Sequence, residues 1–125
     1  MLRPTLTSSK APAMANAIDF YFDFSSPYGY LASTKIEAVA ARHGRMVSWR
    51  PFLIGALYKQ LGYTPLEQPG KRAYLLHDVP RSAREMGVKL SFPPSFPEAL
   101  IAPARAVYWI ADQSPVAAGA FAAAA

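Results

Sequence analysis

Residues Ile18-Asp-Phe-Tyr-Phe-Asp-Phe-Ser-Ser-Pro-Tyr-Gly-Tyr30 decide how the chain reads. Ile18, Phe20, Phe22 and Phe24 alternate with Asp19, Tyr21, Asp23 and Ser25, a period of two that predicts a strand with one apolar and one polar face. Aromatic and β-branched side chains on the apolar face suit a half-buried pleated surface. Ser26 then has N-cap chemistry, and Pro27 suits the first helical position, where its fixed φ fits and its missing N–H is not needed. The predicted helix buries Ala32, Ile36, Val39, Ala40 and His43, with Gly44 as its C′ stop. The turn sets the Ser26 hydroxyl at the positive end of a helix, where an anion or thiolate can be held.

After Gly44, Met46–Leu53 reads as a second strand, with Pro51 marking its exit from regular pairing. Strand, helix and strand in this span make a βαβ unit, with two parallel strands joined by a right-handed crossover. The Ser26 turn then falls at the carboxyl edge of the first strand, where open α/β sheets bind ligands. Beyond Ile54 the pattern is helical and punctuated by proline. A short helix is expected over Gly55–Leu61 and a loop through Pro65 and Pro69. A longer helix follows over Lys71–Met86, burying Leu75, Leu76, Val79, Ala83 and Met86, with Pro80 kinking or breaking it. Its opposite stripe carries Lys71, Tyr74, Asp78 and Arg81.

Phe92-Pro-Pro-Ser-Phe-Pro97 is expected to be extended, because a residue before proline is pushed out of the α region. A further helix is expected from Pro103 to Asp112. Ser114 and Pro115 repeat the cap-and-proline signature and open a last helix, for which no stop signal precedes Ala125. The fold class is α/β: a βαβ part over residues 18–54 followed by a helical segment over 55–125. Two parallel strands do not make a stable sheet. The remaining strands are expected from further polypeptide, from a partner chain, or not at all.

With 125 residues and 52% apolar composition, the chain has the size and core material of one globular domain. The net charge of +5 is carried by dispersed residues without a nucleic-acid reader motif, so it fits solubility or a small anionic ligand, and no nucleic-acid partner is expected. No apolar run approaches the roughly 20 residues of a membrane span, so no membrane partner is expected. There is no cysteine, which excludes a disulfide framework, a thiolate metal site and a Cys-x-x-Cys centre, so any thiol chemistry must borrow its thiol. His43 and His77 lack ligand spacing, and no metal is expected. Residues 1–17, rich in Ser, Thr, Ala and Pro, read as a disordered leader, with Met14 a candidate start; an organelle-targeting reading is a lesser alternative.

Asp19-Phe-Tyr-Phe-Asp-Phe-Ser-Ser-Pro-Tyr-Gly-Tyr-Leu-Ala32 resembles the opening of 2-hydroxychromene-2-carboxylate isomerases and kappa-class glutathione transferases. Trp49-Arg-Pro-Phe-Leu-Ile-Gly55 is similar to the segment after that family's second strand. Lys71, Tyr74, Asp78 and Arg81 are similar to its Lys-x-x-Tyr-x-x-x-Asp-x-x-Arg helix, and Phe92-Pro and Phe96-Pro97 to its proline-rich connection. The likeness runs in collinear order from Ile18 to Asp112. It implies a thioredoxin-like fold interrupted by an all-helical insertion, whose later strands, cis-proline loop and γ-glutamyl-binding turn would lie beyond Ala125.

The resemblance also implies glutathione as cofactor, a cytoplasmic location, and a homodimer for the full-length protein. By position Ser26 matches the family's serine where thioredoxins carry cysteine, and Pro27 and Tyr28 match the adjacent residues of the glutathione site. Gly62-Tyr63 stands where kappa transferases have a Gly-Asn pair, which makes Tyr63 the candidate contact there. The expected activity is glutathione-dependent isomerisation of a 2-hydroxychromene-2-carboxylate type of substrate in aromatic-compound degradation, with Lys71, Arg81 and Arg105 as candidate partners of its carboxylate. Plain readings stand beside these: Ser26 caps its helix, and the three cations solvate helix faces. The alternatives are a kappa-type transferase or peroxidase and a non-catalytic thioredoxin-like module.

Overall fold

The computed structural model describes residues 17–125. The expected leader lies outside them except for Ala17, whose carbonyl accepts from Arg45 Nη2 at 3.4 Å. The element order is β1 (Ile18–Phe22), α1 (Pro27–Arg42), β2 (Val47–Pro51), α2 (Ile54–Leu61), a 3₁₀ turn (Pro65–Glu67), α3 (Pro69–Met86), α4 (Ile101–Ala111) and α5 (Pro115–Ala124). β1 and β2 pair in parallel, with Ile18 opposite Val47 and Phe22 opposite Pro51, as a strand–helix–strand unit requires.

β1 is shorter than its alternation suggests. It ends at Phe22, and Asp23, expected on the outer polar face with Asp19 and Tyr21, is buried at 5% exposure. Once the pleat stops, the period of two no longer dictates which way a side chain points. Helix α1 starts as expected, with Ser26 as N-cap and Pro27 in its first turn, and Gly44 follows it at φ 63°. Its buried face differs from the expected one. Leu31 and Ala40 are buried and Ile36 is half-buried, whereas Ala32, Val39 and His43 are exposed. The helix enters two separate clusters, through Leu31 in one and Ile36 in the other, so no single stripe runs along it.

The first cluster joins Phe22 and Trp49 of the sheet to Val107 of α4 and Ala118 and Ala122 of α5. Phe20 and Phe22 each meet the Trp49 ring edge-on, at centroid distances of 5.3 and 5.5 Å, a favoured aromatic geometry. The small residues of α5 let its backbone lie close to this ring. The second cluster sets Leu31 of α1 against Val79 and Ala83 of α3, with Leu90 and Phe92 of the following segment beside them.

Other expectations resolve locally. α3 begins at Pro69, two residues early, and runs unbroken through Pro80. The carbonyl that Pro80 leaves unpaired belongs to Leu76, which is 41% exposed rather than buried, so water can take the vacant bond. Residues 92–97 are not simply extended: the Phe96 N–H closes a turn on the Pro93 carbonyl at 3.1 Å, and the Phe96–Pro97 bond is cis. α4 starts at Ile101, which places Pro103 inside its first turn, where N–H groups lack helical partners anyway. α5 has the expected cap, Ser114 Oγ accepting from the Ala117 N–H.

Gly119 is where α5 comes closest to the sheet. A Cβ there would lie 2.9 Å from Trp49 Nε1, and the indole N–H is already committed to Glu37 Oε1 at 3.1 Å. Gly119→Ala therefore forces either the ring or α5 to shift. It is expected to lower unfolding free energy by about 1–3 kcal/mol in chemical denaturation, the usual cost of overpacking. Ala120→Gly, at an exposed position of the same helix, should cost no more than the ~1 kcal/mol helix propensity term.

Candidate functional site

The β1–α1 turn is built around Asp23. Its Oδ1 accepts from both the N–H and the hydroxyl of Ser25, each at 2.6 Å, and its Oδ2 accepts from the Ile54 N–H at 2.6 Å. The Ser26 N–H bonds the Asp23 carbonyl at 2.9 Å. Ser25 is thus fully engaged, and the next serine is presented differently. Ser26 Oγ accepts from the Gly29 N–H at 3.1 Å, and none of the described residues accepts its proton. The Tyr28 N–H likewise finds no acceptor among the described residues. A free hydroxyl proton and a free N–H thus lie together at a helix start, where the macrodipole favours negative charge.

Gly29 has a reason to be glycine. A Cβ at that position would approach Ser26 Cβ to 3.2 Å and the Asp23 carbonyl to 3.3 Å, crowding the turn that shapes the site.

Ser26 and Pro27 open onto a cleft of about 460 Å³ between this turn and the α3–α4 connection. Phe24, Phe92, Phe96 and Leu100 supply its apolar walls, and Lys89 and Glu98 its charged ones. The Tyr30 hydroxyl donates to the Lys89 carbonyl at 3.0 Å and Lys35 Nζ to the Met86 carbonyl at 3.2 Å, so α1 holds the segment that forms the far wall. Sequence reasoning missed Asp23, Lys89 and the Phe92–Phe96 pair. The signal for Asp23 was present: an Asp two residues before a serine in a turn commonly bonds that serine's backbone.

The remaining expected site residues fall into three places. Tyr28 reaches from α1 to α3, its hydroxyl donating to Asp78 Oδ2 at 2.7 Å, while Arg81 pairs with Asp78 Oδ1. Tyr63, just past α2, meets Lys71 of α3, whose ammonium bonds the phenol oxygen and sits 4.7 Å from the ring centroid. Arg105 lies on the outer face of α4 beside Trp109. Neither these cations nor Tyr63 lines the Ser26 cleft. A second cleft, of about 530 Å³, runs between β2 and α5 and contains none of the expected site residues.

Residues 17–125 match the DSBA-like thioredoxin domain family. The chain is 40% identical over 86 residues to 2-hydroxychromene-2-carboxylate isomerase of Sphingobium xenophagum, covering 66% of this chain and 44% of that protein. It is 34% identical over 83 residues to glutathione S-transferase kappa 1 of Caenorhabditis elegans, covering 65% of this chain and 37% of that one. Among solved structures, a 2-hydroxychromene-2-carboxylate isomerase superposes with a TM-score of 0.67 at 23% identity, covering 86% of this chain and 53% of that chain. The fold is therefore thioredoxin-like, as the resemblance implied, and the chain spans about half the length, or less, of these proteins.

The Tyr28–Asp78–Arg81 bridge has a pH signature. Burial, then the hydrogen bond to Asp78 and the charge of Asp78, push the Tyr28 phenol up to about 12. Bonds from Arg81 and Tyr28 hold the Asp78 carboxyl below its ordinary value. A phenol raised in the folded state stabilises fully below its unfolded pKa near ~10, and that contribution is lost as pH rises through about 12. For the lowered carboxyl the sign reverses: its contribution is present above the unfolded value near ~3.9 and is lost as pH falls through the folded one. Asp78→Ala should bring one phenol titration, identified by its absence in Tyr28→Phe, down from about 12 but not fully to ~10, because burial remains. Ultraviolet absorbance titration reads this directly, and the stability gap between the variant and the parent should close on acidification.

Proposed function

This chain belongs to the DSBA-like thioredoxin domain family, and we propose that it supplies one wall of a glutathione-dependent isomerase site for substrates of the 2-hydroxychromene-2-carboxylate type. The observation that carries the proposal is the uncommitted hydroxyl proton of Ser26, which with Pro27 lines a cleft with apolar and aromatic walls, two residues before a Tyr28 N–H that has no acceptor among the described residues. That donor set fits glutathione at its sulfur. A free thiol has a pKa near ~8.5, and hydrogen-bond donors at a helix N-terminus stabilise the thiolate over the thiol.

When bound, glutathione supplies a thiolate that can add to a double bond conjugated with a carbonyl and be eliminated again, allowing rotation between the two steps. The chain's own residues do the rest. Ser26 donates to the sulfur and orients it. Pro27 holds the first turn of α1 in helical φ without consuming a donor, and Tyr28, anchored through its hydroxyl on Asp78, keeps that turn against α3. Phe24, Phe92 and Phe96 exclude water from the reacting carbons and accept a planar aromatic group, while Lys89 is the cation on the cleft available to a substrate carboxylate. Tyr63 with Lys71, and the outward Arg81 and Arg105, are assigned to ligand groups that extend past the cleft.

In this reading residues 18–54 carry the thiol-binding turn and residues 55–125 form the helical part that shapes the cleft. A cytoplasmic location and a homodimer of the full-length protein belong to the same proposal. Among the described residues no helix is long and apolar enough to cross a membrane. The kappa-type relative supports a second reading, transfer of glutathione to an electrophile, and the ratio of isomerase turnover to conjugation of a chlorodinitrobenzene-type acceptor separates the two.

Ser26→Ala is expected to lower turnover by ~10²–10³-fold, the usual effect of removing one donor from a developing anion. Denaturation should show the loss of the N-cap as about 1 kcal/mol. If the unmodified chain shows neither heat nor thermal shift on titration with glutathione, the non-catalytic module takes the place of the isomerase.

A further inference from the structure

The buried carboxylate of Asp23 has no part in the chemistry described above, yet it sits between the two segments that meet at the site. One oxygen takes both donors of Ser25, the residue before the N-cap of α1. The other takes the N–H of Ile54, the first residue of α2. α2 has no side-chain cap of its own: its N-cap position is Leu53. A carboxylate at a helix N-terminus is favoured by the macrodipole as well as by the bond itself, so Asp23 caps α2 from 31 residues away in sequence. α2 in turn ends at Gly62, next to the Tyr63 that Lys71 contacts. Asp23 is 5% exposed, so the carboxylate is largely withdrawn from bulk water and depends on these three bonds.

We propose that Asp23 is a positioning residue for thiol binding: its carboxylate locks the Ser25–Ser26 turn to the start of α2 and so fixes where the Ser26 hydroxyl and the Tyr28 N–H point. The inference rests on the glutathione reading of the cleft. Asp23 touches no ligand and acts only through the turn. Its negative charge disfavours a nearby thiolate, so its value to the site must come from geometry. Removing the charge and removing the clamp consequently have opposite effects on the bound thiol, and a test has to separate them.

Ile54→Pro makes that separation. Proline is well accommodated at the first position of a helix, and Leu53 already has the extended backbone (φ −106°, ψ 99°) that a residue before proline adopts. The substitution deletes the donor to Asp23 and leaves the carboxylate charge in place. Glutathione affinity is measured by calorimetry, and the titration of the bound thiol by thiolate absorbance, for the parent chain, Ile54→Pro, Asp23→Asn and the double variant. Ile54→Pro is expected to weaken glutathione binding at least fivefold and to move the thiolate titration to higher pH. Asp23→Asn should weaken binding too, with a smaller movement of the titration because the lost charge opposes it. The double variant should be no worse than the weaker single one.

Binding by the parent chain with both single variants within twofold of it in affinity, and with unmoved titrations, would overturn the positioning role and leave the glutathione reading intact. Absence of glutathione binding by the parent chain would overturn both. If Asp23→Asn does not fold, Ser25→Ala, which removes one of the three bonds and keeps the charge, takes its place, with an expected shift in the same direction as Ile54→Pro.

Discussion

Three bonds to one buried carboxylate connect the strand, the helix that follows it and the helix after the second strand. Without a partner in the interior, an ionised Asp is expensive to bury; with three short donors, two of them backbone N–H groups, the cost is offset and the local chain path is fixed. Much else depends on that path. The Ser26 cap needs the turn to approach α1 closely, Gly29 permits the approach, and Tyr28 can reach Asp78 on α3 only if α1 leaves the turn at the right angle. Local capping and long-range packing are here one constraint.

The parts of this arrangement that were legible in the sequence share a property: they are set by neighbours in the chain. Ser26-Pro27 and Ser114-Pro115 start helices because a hydroxyl oxygen accepts an N–H three residues on and proline needs no donor, and both start where expected. The alternation of Ile18, Phe20 and Phe22 declared β1 for the same kind of reason. What could not be read are features that depend on partners far along the chain. Asp23 reads as a surface residue until Ile54 is known to lie beside it. Val39 reads as core because its spacing from Ile36 and Ala40 suits a single buried stripe, but α1 enters one cluster through Leu31 and another through Ile36 and leaves part of that stripe uncovered.

The candidate site divides along the same line. Ser26 could be singled out because its turn is local: the cap and the proline beside it are neighbours in the chain. Lys89 and Phe96 could not, since nothing in the proline-rich stretch says that the Phe96 N–H folds back on Pro93 or that Phe92 and Phe96 line the same cleft as Ser26. The stripe of Lys71, Tyr74, Asp78 and Arg81 shows both outcomes at once. Its spacing was read correctly, yet the structure uses it to brace Tyr28 and Tyr63 rather than to line the cleft.

The two sides of the cleft are made in different ways, and this bears on how such a protein can diversify. One side is a capped helix start held by a buried carboxylate, where a substitution disturbs several elements together. The other is an irregular connection whose residues 93–95 and 97–100 are all exposed and contribute little to either apolar cluster. Mutations in that connection can reshape what the cleft accepts while leaving the folding free energy nearly untouched, as is usual for loops carried on a rigid scaffold. Selection can therefore vary what one bank of the cleft accepts while the bank that carries Ser26 stays fixed.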